Sequence, residues 1–197
     1  MLDGRQWTSP RKVYLTFDDG PSAETTPQLL DHLRESGIKA TFFVVGRNIE
    51  NPRGLAIIER MAAEGHQVGN HTYNHPNLTQ LDGARIQQEI KQTEDLIGPL
   101  DNGTKVFRPP FGFHNGTVDG AAEALGYKSV LWDLCAWDWR PHYQNRRWVS
   151  HIVRQIKSGR EGIILAHDVV PSTVEHVPEL IAAIRDHLPD TEFALVA

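Results

Sequence analysis

The stretch Val13-Tyr14-Leu15-Thr16-Phe17-Asp18-Asp19-Gly20-Pro21 decides the fold that we predict for this chain. An apolar run ends in two adjacent carboxylates, and a Gly-Pro turn follows at once. Neighbouring residues of a strand point to opposite faces, so a regular strand would put one of these acids into the core. At the end of a strand the two acids can separate and take different roles. Because Asp-Gly is also a common turn signal, the pair alone would equally fit a solvated turn.

Apolar strands and amphipathic helices alternate along the rest of the chain. The strands predicted from this pattern are 12–17, 40–45, 67–69, 106–107, 129–132, 163–165 and 193–196. Thr26 is predicted to cap the first of six intervening helices, which Gly37 ends. Unbroken apolar strands between helices indicate an α/β fold with a parallel sheet covered on both faces. The pattern fits a doubly wound sheet and a closed, barrel-like sheet equally, within a single domain spanning residues 1–197.

The composition excludes several classes of protein. A net charge of −5 without a cluster of basic residues argues against a nucleic-acid partner. Cys135 is the only cysteine, which rules out an internal disulfide and a zinc cluster built from cysteines. No apolar run reaches the length of a membrane span, and residues 1–7 contain no signal-peptide core. We therefore expect no membrane span, no obligate protein partner, and a cytoplasmic location if Met1 is the native start. Secretion with a removed signal is the alternative if the natural chain starts further upstream.

The notable polar residues all follow predicted strands. They are Asp18 and Asp19 after the first strand, His71 after the third, Arg108 after the fourth, Asp138 in the loop after the fifth, and His167 with Asp168 after the sixth. In parallel α/β folds the carboxyl ends of the strands meet at one face, where active sites are built. The sequence therefore predicts that these side chains come together in one site.

The spacing of His71 and His75 predicts a metal site. On one helical turn, imidazoles four residues apart lie on the same side. Together with one carboxylate from the Asp18-Asp19 pair they would form a three-ligand site with an open position, as hydrolytic zinc sites have. Zinc is the metal favoured, while cobalt or another divalent ion stays open because this ligand set discriminates weakly.

The remaining polar residues supply candidates for proton transfer. The carboxylate that the metal leaves free is a natural general base, and Arg108 could orient it and keep it ionised. On the opposite side, His167 is a candidate general acid, and Asp138 could raise its pKa by pairing with it. The tryptophan-rich segment 132–148 suits a sugar ring, whose apolar face packs on an indole. Cys135 in this segment is interpreted as a packing residue.

Taken together, these stretches resemble the polysaccharide deacetylases, the family with the NodB homology domain (carbohydrate esterase family 4). Five family motifs occur in the family's order: Thr16-Phe17-Asp18-Asp19-Gly20-Pro21, His71-Thr72-Tyr73-Asn74-His75-Pro76, Arg108-Pro109-Pro110-Phe111-Gly112, Asp138-Trp139, and Leu165-Ala166-His167-Asp168. The match covers about residues 13–197. The fold that it implies is a distorted (β/α) barrel with seven strands.

The resemblance also implies a role for each polar residue. The metal ligands implied are Asp19, His71 and His75. The residues implied in proton transfer are Asp18 as general base, Arg108 as its holder, His167 as general acid, and Asp138 as the residue that tunes it. The residues implied in substrate contact are Pro109, Phe111 through its backbone N–H, Trp139 and Leu165.

The activity implied by the resemblance is removal of N-linked acetyl groups from an N-acetylglucosamine-containing glycan, with release of acetate. Two alternatives on the same scaffold stay open, an esterase acting on O-acetylated xylan and a hydrolase of small cyclic amides. A non-catalytic glycan-binding protein is less favoured, because a binding module needs neither a base nor an acid.

Overall fold

The computed structural model describes residues 11–101 and 103–196 of the 197-residue chain. The N-terminal segment in which we found no signal-peptide core lies outside the described residues. None of the helices in the described residues combines the length and the apolar character needed to cross a membrane.

The described residues form eight strands and seven α-helices. The strands are β1 (Arg11–Asp18), β2 (Thr41–Val44), β3 (Gln67–Asn70), β4 (Val106–Phe107), β5 (Lys128–Ser129), β6 (Leu134–Cys135), β7 (Gly162–His167) and β8 (Thr191–Phe193). The helices are α1 (Thr26–Ser36), α2 (Gly46–Ile49), α3 (Pro52–Ala63), α4 (Gly83–Ile97), α5 (Gly116–Ala124), α6 (Arg147–Lys157) and α7 (Pro171–His187). Short 3₁₀ turns lie at Leu78–Gln80, Gly98–Asp101, Pro110–Gly112 and Pro141–Tyr143.

All strand pairs in the sheet are parallel, and β1 is its centre. The strand order is β5-β4-β3-β2-β1-β7-β6, and β8 pairs with the beginning of β1. The longest pairing joins β1 to β7 from Val13 against Gly162 to Asp18 against His167. The sheet therefore curls into a half-barrel with helices around it, and the ends of β1 and β7 lie side by side.

Side-chain alternation along β1 separates the two faces of the sheet. Val13, Leu15 and Phe17 belong to the large hydrophobic cluster that α1, α3, α6 and α7 share. Tyr14 packs instead on a smaller inner cluster with Phe43, Val106, Val130 and Val196. Asp18 has the same parity as Tyr14, so it points into the half-barrel rather than into the helix layer.

Five details differ from the sequence-based expectations. The fifth strand, predicted at 129–132, is β5 at Lys128–Ser129, because only these two residues pair with β4. The segment predicted to be irregular after residue 132 contains the extra strand β6, and α2 was not predicted; both are too short to show a periodic pattern. The last strand lies at Thr191–Phe193, because its pairing with β1 sets its position. Thr26 is the first residue of α1 rather than its cap, which is Thr25. The Thr26 hydroxyl donates to Asp168 at 2.5 Å instead of capping the helix.

Candidate active site

A pocket of about 360 Å³ opens at the carboxyl ends of the strands. Its lining residues are Asp18, Asp19, His71, His75, Phe111, Trp132, Trp139, Leu165 and His167. Of the other predicted site residues, Arg108 and Asp138 are buried behind the lining. Pro109 is buried next to them and does not line the pocket formed by the described residues. The structure thus brings the predicted polar residues together at one face.

One side of the pocket is built around the contact between Asp18 and Arg108. The Arg108 guanidinium is fully buried and donates to Asp18 Oδ1 at 2.7 Å. It also donates to the Thr16 hydroxyl at 2.7 Å, and to the carbonyls of Val130 and Leu131 at 3.1 and 3.0 Å. A buried charge is tolerated only when it is paired and hydrogen-bonded, and this guanidinium is both. Arg108 therefore holds the Asp18 carboxylate in one orientation at the pocket wall.

Asp19, His71 and His75 form a compact cluster of potential metal ligands. One donor atom from each lies within 4.8 Å of the others. Nε2 of His75 and of His71 lie 3.1 and 3.5 Å from Asp19 Oδ1. That oxygen is buried and has no hydrogen-bond partner of good geometry in the described part of the chain. A buried carboxylate oxygen without a donor, facing two ring nitrogens, fits a cation between them.

The tautomer of His71 supports the same interpretation. Its Nδ1 lies 2.6 Å from the carbonyl oxygen of Arg108, which can only accept a hydrogen bond. Nδ1 therefore carries the proton, and in the neutral ring the Nε2 lone pair is free to bind a metal. Burial alone would raise the pKa of the Asp19 carboxyl, but the nearby imidazoles of His71 and His75 outweigh it. The net effect lowers this pKa well below its usual range, so that Asp19 is a carboxylate.

The two histidines do not lie on the helical turn that their spacing predicted. Thr72 and His75 have positive φ values of 68° and 61°, which an α-helix excludes. The loop is held instead by Asn70, whose Oδ1 accepts from Thr72 N at 2.9 Å and whose Nδ2 donates to Ile90 O at 2.9 Å. Pro76 follows directly and cannot supply a helical N–H. Both imidazoles nevertheless lie next to Asp19, because the chain changes direction at Thr72 and again at His75.

The opposite side of the pocket is built around His167 and Asp138. His167 Nδ1 lies 2.8 Å from Asp138 Oδ1, and His167 N donates to Asp138 Oδ2 at 2.8 Å. The Thr173 hydroxyl donates to the same Oδ2 at 2.6 Å. Burial lowers the pKa of His167, but the hydrogen bond and charge of Asp138 outweigh it, with help from Asp18 and Asp19, and raise this pKa to about 9. The imidazole is therefore protonated at neutral pH, as a general acid must be.

Another buried carboxyl, Asp168, lies between the loop that carries Asp19 and the end of β7. It accepts from the Thr26 hydroxyl at 2.5 Å, and its backbone carbonyl accepts from the Thr25 hydroxyl at 2.6 Å. A Cβ on Gly20 would overlap the Asp168 carboxylate, so only glycine fits beside it. Burial, opposed by the Thr26 hydrogen bond and assisted by the charge of Asp19, raises the pKa of Asp168 to about 7. This contact fixes the Asp19-bearing loop against the end of β7.

Aromatic rings border the pocket. Phe111 packs edge-on against His75, with ring centroids 4.6 Å apart, and Trp139 lies edge-on to His167 at 5.0 Å. Trp132, the first residue of the tryptophan-rich segment, lines the pocket as well. Leu165 is buried at its base. Burial raises the pKa of the Cys135 thiol to about 11, which leaves it un-ionised and consistent with the packing role predicted for it.

Strained backbone conformations are concentrated around the pocket. Six non-glycine residues among those described have positive φ, and five of them lie at the pocket or in the loops that carry it: Asp19 (77°), Thr72 (68°), His75 (61°), Phe111 (61°) and Trp137 (53°). Such conformations cost on the order of 1–3 kcal/mol each and persist where the surroundings enforce them. Their clustering indicates that the shape of the pocket is maintained although it lowers the stability of the fold locally.

Sequence reasoning missed the buried polar residues that support the site. Thr16 precedes Asp18 by two positions on the same face of β1, so strand alternation could have found it. Asn70 directly precedes His71 at a strand end, which is a usable signal. Thr173 lies in the first turn of α7, and nothing in the sequence relates it to Asp138. The Asp168 carboxylate was quoted as part of a motif but received no role.

Comparisons with known proteins find a matching family and similar enzymes. The model of a protein family described as polysaccharide deacetylase matches residues 5–130. A peptidoglycan-N-acetylglucosamine deacetylase of Bacillus cereus is 34% identical over 173 residues, which cover 82% of this chain and 76% of the relative. A chitooligosaccharide deacetylase of Rhizobium leguminosarum bv. trifolii is 38% identical over 164 residues, which cover 82% of this chain and 73% of the relative.

Solved structures agree on the fold. A family 4 carbohydrate esterase from Streptomyces lividans in complex with acetate superposes with a TM-score of 0.82 at 31% identity. The superposition covers 95% of this chain and 93% of that chain. This likeness confirms the predicted fold class, the distorted barrel with a curled parallel sheet.

Proposed function

The chain belongs to the polysaccharide deacetylase family, and on that premise we propose that it is a metal-dependent N-deacetylase. Its substrate would be an N-acetylglucosamine-containing glycan of the chitooligosaccharide or peptidoglycan type, and its products acetate and a free amino sugar. The single observation that carries the proposal is the separation of a carboxylate base and a protonated imidazole on opposite sides of one pocket. Asp18 and His167 are these two groups, and each approaches the ligand cluster: Asp18 Oδ2 lies 3.8 Å from His71 Nε2, and His167 Nε2 lies 3.9 Å from Asp19 Oδ2.

Asp19, His71 and His75 would hold the metal, and zinc is the ion that we propose. Bound there, a divalent ion would supply Lewis acidity, which makes water more acidic and an acetyl carbonyl more electrophilic. Three protein ligands would leave a position on such an ion for water or substrate, as hydrolytic metal sites have.

Asp18 would act as the general base. Its Oδ1 is occupied by Arg108, whereas Oδ2 lies 3.8 Å from His71 Nε2, on the side of the ligand cluster. The oxygen next to the cluster would take the proton of the attacking water, while the guanidinium keeps the carboxylate from turning away. This division needs the two acids to differ, one bound to the metal and one free for protons.

On the other side His167 would deliver a proton to the departing amine. Asp138 holds its Nδ1, so the proton is donated from Nε2, which faces Asp19 at 3.9 Å across the pocket. The backbone N–H of Phe111 donates to no other group in the described residues and would stabilise the oxyanion of the tetrahedral intermediate. Leu165 and Trp139 would enclose the methyl group of the acetyl.

An acetate-release assay tests the proposal. The protein is stripped with a chelator, reloaded with zinc or cobalt, and incubated with N-acetylglucosamine oligomers of graded length, peptidoglycan fragments and O-acetylated xylan. We expect acetate from the N-acetylated glycans, loss of release on chelation, and recovery with added metal. Acetate from xylan alone would replace the proposal with the esterase alternative, and tight glycan binding without any acetate would favour a binding protein.

A further inference from the structure

We propose that Glu89, on α4, is a positioning residue that sets the affinity of the site for its metal. The Glu89 carboxylate is not part of the cluster of potential ligands. It acts through the backbone of the ligand loop, residues 71–75, which carries His71 and His75 at its two ends. This inference rests on the proposed function, because it concerns the metal that the proposed reaction requires.

The ligand loop needs support from its surroundings, because its backbone is strained. Thr72 and His75 both have positive φ, and such conformations persist only where neighbouring groups enforce them. One contact inside the loop helps, since the Thr72 hydroxyl accepts from His75 N at 3.1 Å. The directions of both imidazoles depend on the path of the loop, because each ring is attached at one end of it. Any group that fixes this path therefore also fixes the two nitrogen ligands relative to Asp19.

The Glu89 carboxylate accepts three hydrogen bonds from the middle of the ligand loop. Its Oε2 accepts from Tyr73 N at 3.1 Å and from Asn74 N at 2.8 Å. Its Oε1 accepts from Asn74 Nδ2 at 2.9 Å. Hydrogen bonds to an ionised acceptor are stronger than those between neutral groups. Two successive backbone N–H groups that share one oxygen fix the course of the chain midway between the two histidines.

The other edge of the ligand loop is held by the beginning of α2. Gly46 N donates to Thr72 O at 2.9 Å. Arg47 N donates to Tyr73 O at 3.1 Å. A Cβ on Gly46 would come within 2.7 Å of the Tyr73 ring, so only glycine allows this close approach. The loop thus lies between α2 and α4. Because the contacts from α2 are made by backbone groups, Glu89 is the partner that a substitution can remove.

The helix that carries Glu89 is firmly anchored. Ile86 and Ile90, on either side of Glu89 in sequence, are fully buried in one hydrophobic cluster. Ile90 O also accepts from Asn70 Nδ2 at 2.9 Å, and Asn70 directly precedes His71. A rigid element holds a functional group more precisely than a loop does. The position of the Glu89 carboxylate is therefore set by the core, independently of any ligand.

Metal titrations test the role of Glu89. The full chain is stripped with a chelator and titrated with zinc or cobalt against a chromophoric chelator, as wild type, Glu89→Ala, Glu89→Gln and Glu94→Ala. We expect Glu89→Ala to weaken metal binding about tenfold or more, as removal of groups that orient metal ligands typically does. Glu89→Gln should recover most of this loss, because one amide oxygen can accept both backbone N–H groups. Glu89 is only partly buried, so alanine there leaves the core intact.

Glu94→Ala is the matched control on the same helix. Glu94 pairs with Lys91 and Lys105, and neither partner belongs to the ligand loop. This variant should lose stability in urea unfolding of the metal-free protein while its metal affinity stays at the wild-type value. A loss of affinity as large as that of Glu89→Ala would show a general effect of α4 and overturn the proposal.

Three further outcomes are decisive. Wild-type affinity in Glu89→Ala overturns the positioning role. A loss in Glu89→Gln as large as in Glu89→Ala overturns it too, since the negative charge rather than the hydrogen bonds would then set the affinity. A wild type that binds no divalent ion overturns both this inference and the metal site of the proposed function. In contrast, weaker binding by Glu89→Ala alone supports the inference even if the wild type releases no acetate, a result that would sink only the proposed function.

Discussion

The two sides of the pocket hold their ionisable groups with opposite charges. On the base side the Asp18 carboxylate is paired with a buried cation, Arg108. On the acid side the His167 imidazole is paired with a buried anion, Asp138. In both cases the partner is less exposed than the group that it holds. Each side therefore stabilises the charged form that its proposed reaction step would require, before any substrate arrives.

The two sides differ in how much of the fold they join. Arg108 reaches Thr16, which is 92 positions away along the chain, and also the carbonyls of the segment that follows β5. Asp138 contacts residues 29 and 35 positions away, on β7 and at the beginning of α7. The hydrogen bonds on the base side thus join distant strands of the half-barrel, which we call the proposed brace. Those on the acid side join residues that lie closer together along the chain. We expect changes on the base side to affect stability and turnover together, and changes on the acid side to affect mainly the dependence of activity on pH.

Asp18→Asn should have the largest effect on turnover. The amide keeps a hydrogen bond to Arg108 but cannot accept a proton, so kcat should fall by about 10³-fold. Bound metal, measured by atomic absorption after dialysis, should stay close to one ion per chain. In contrast, His71→Ala should lose both metal and turnover. Equal loss of metal in the two variants would overturn the assignment of Asp18 as base and Asp19 as ligand.

Arg108→Met should have the largest effect on stability. The substitution leaves the Asp18 carboxylate buried without its cation, which typically costs about 3–5 kcal/mol of unfolding free energy. Urea unfolding of the two proteins at pH 7 measures the difference. Arg146→Met is the control, since its contact with Glu179 at 2.7 Å lies on the surface and should contribute less than about 1 kcal/mol. Similar losses of unfolding free energy for Arg108→Met and Arg146→Met would contradict the proposed brace.

Asp138→Asn should shift the pH dependence of activity. With Asp138 present the pKa of His167 is raised to about 9 from an ordinary 6.5, so pairing stabilises the fold fully below pH 6.5. That stabilisation, and the acid itself, are lost as the pH rises through about 9. Removal of the negative charge should lower this pKa and move the alkaline limb of the pH–rate profile to lower pH. NMR titration of the His167 ring in the metal-free protein checks the pKa directly. An alkaline limb that stays in place would exclude His167 as the general acid.

Thr173→Val should have the smallest effect. It removes one hydrogen bond to Asp138, which contributes about 1.5–3 kcal/mol because the acceptor is charged. Unfolding free energy measures this loss, and the pH–rate profile should keep its shape because the charge of Asp138 remains. Thr16→Val is the matched change on the base side, and we expect it to cost more, since the Thr16 hydroxyl contacts both Arg108 and Ile164 O.

The predictions from sequence succeeded where position relative to a strand end carries the information. Asp19, His71 and His167 each lie at or directly beyond the end of an apolar strand, so parallel topology alone brings them together. The path between His71 and His75 could not be predicted in the same way. It depends on Asn70 and on contacts with α4, which spacing along the chain does not reveal. The strand β6 was missed because two residues carry no periodicity, and its place is defined only by pairing with β7.

The strained residues around the pocket have an evolutionary consequence. Left-handed backbone at Asp19, Thr72, His75 and Phe111 opposes folding, and it is least favourable for the threonine and the phenylalanine. A laboratory population selected for heat resistance, without any demand for turnover, should therefore accumulate asparagine or glycine first at Thr72, His75 and Phe111. Such descendants would melt at higher temperature while their catalytic ability decays. The residues of the pocket are thus the ones that would change first if selection for catalysis were removed.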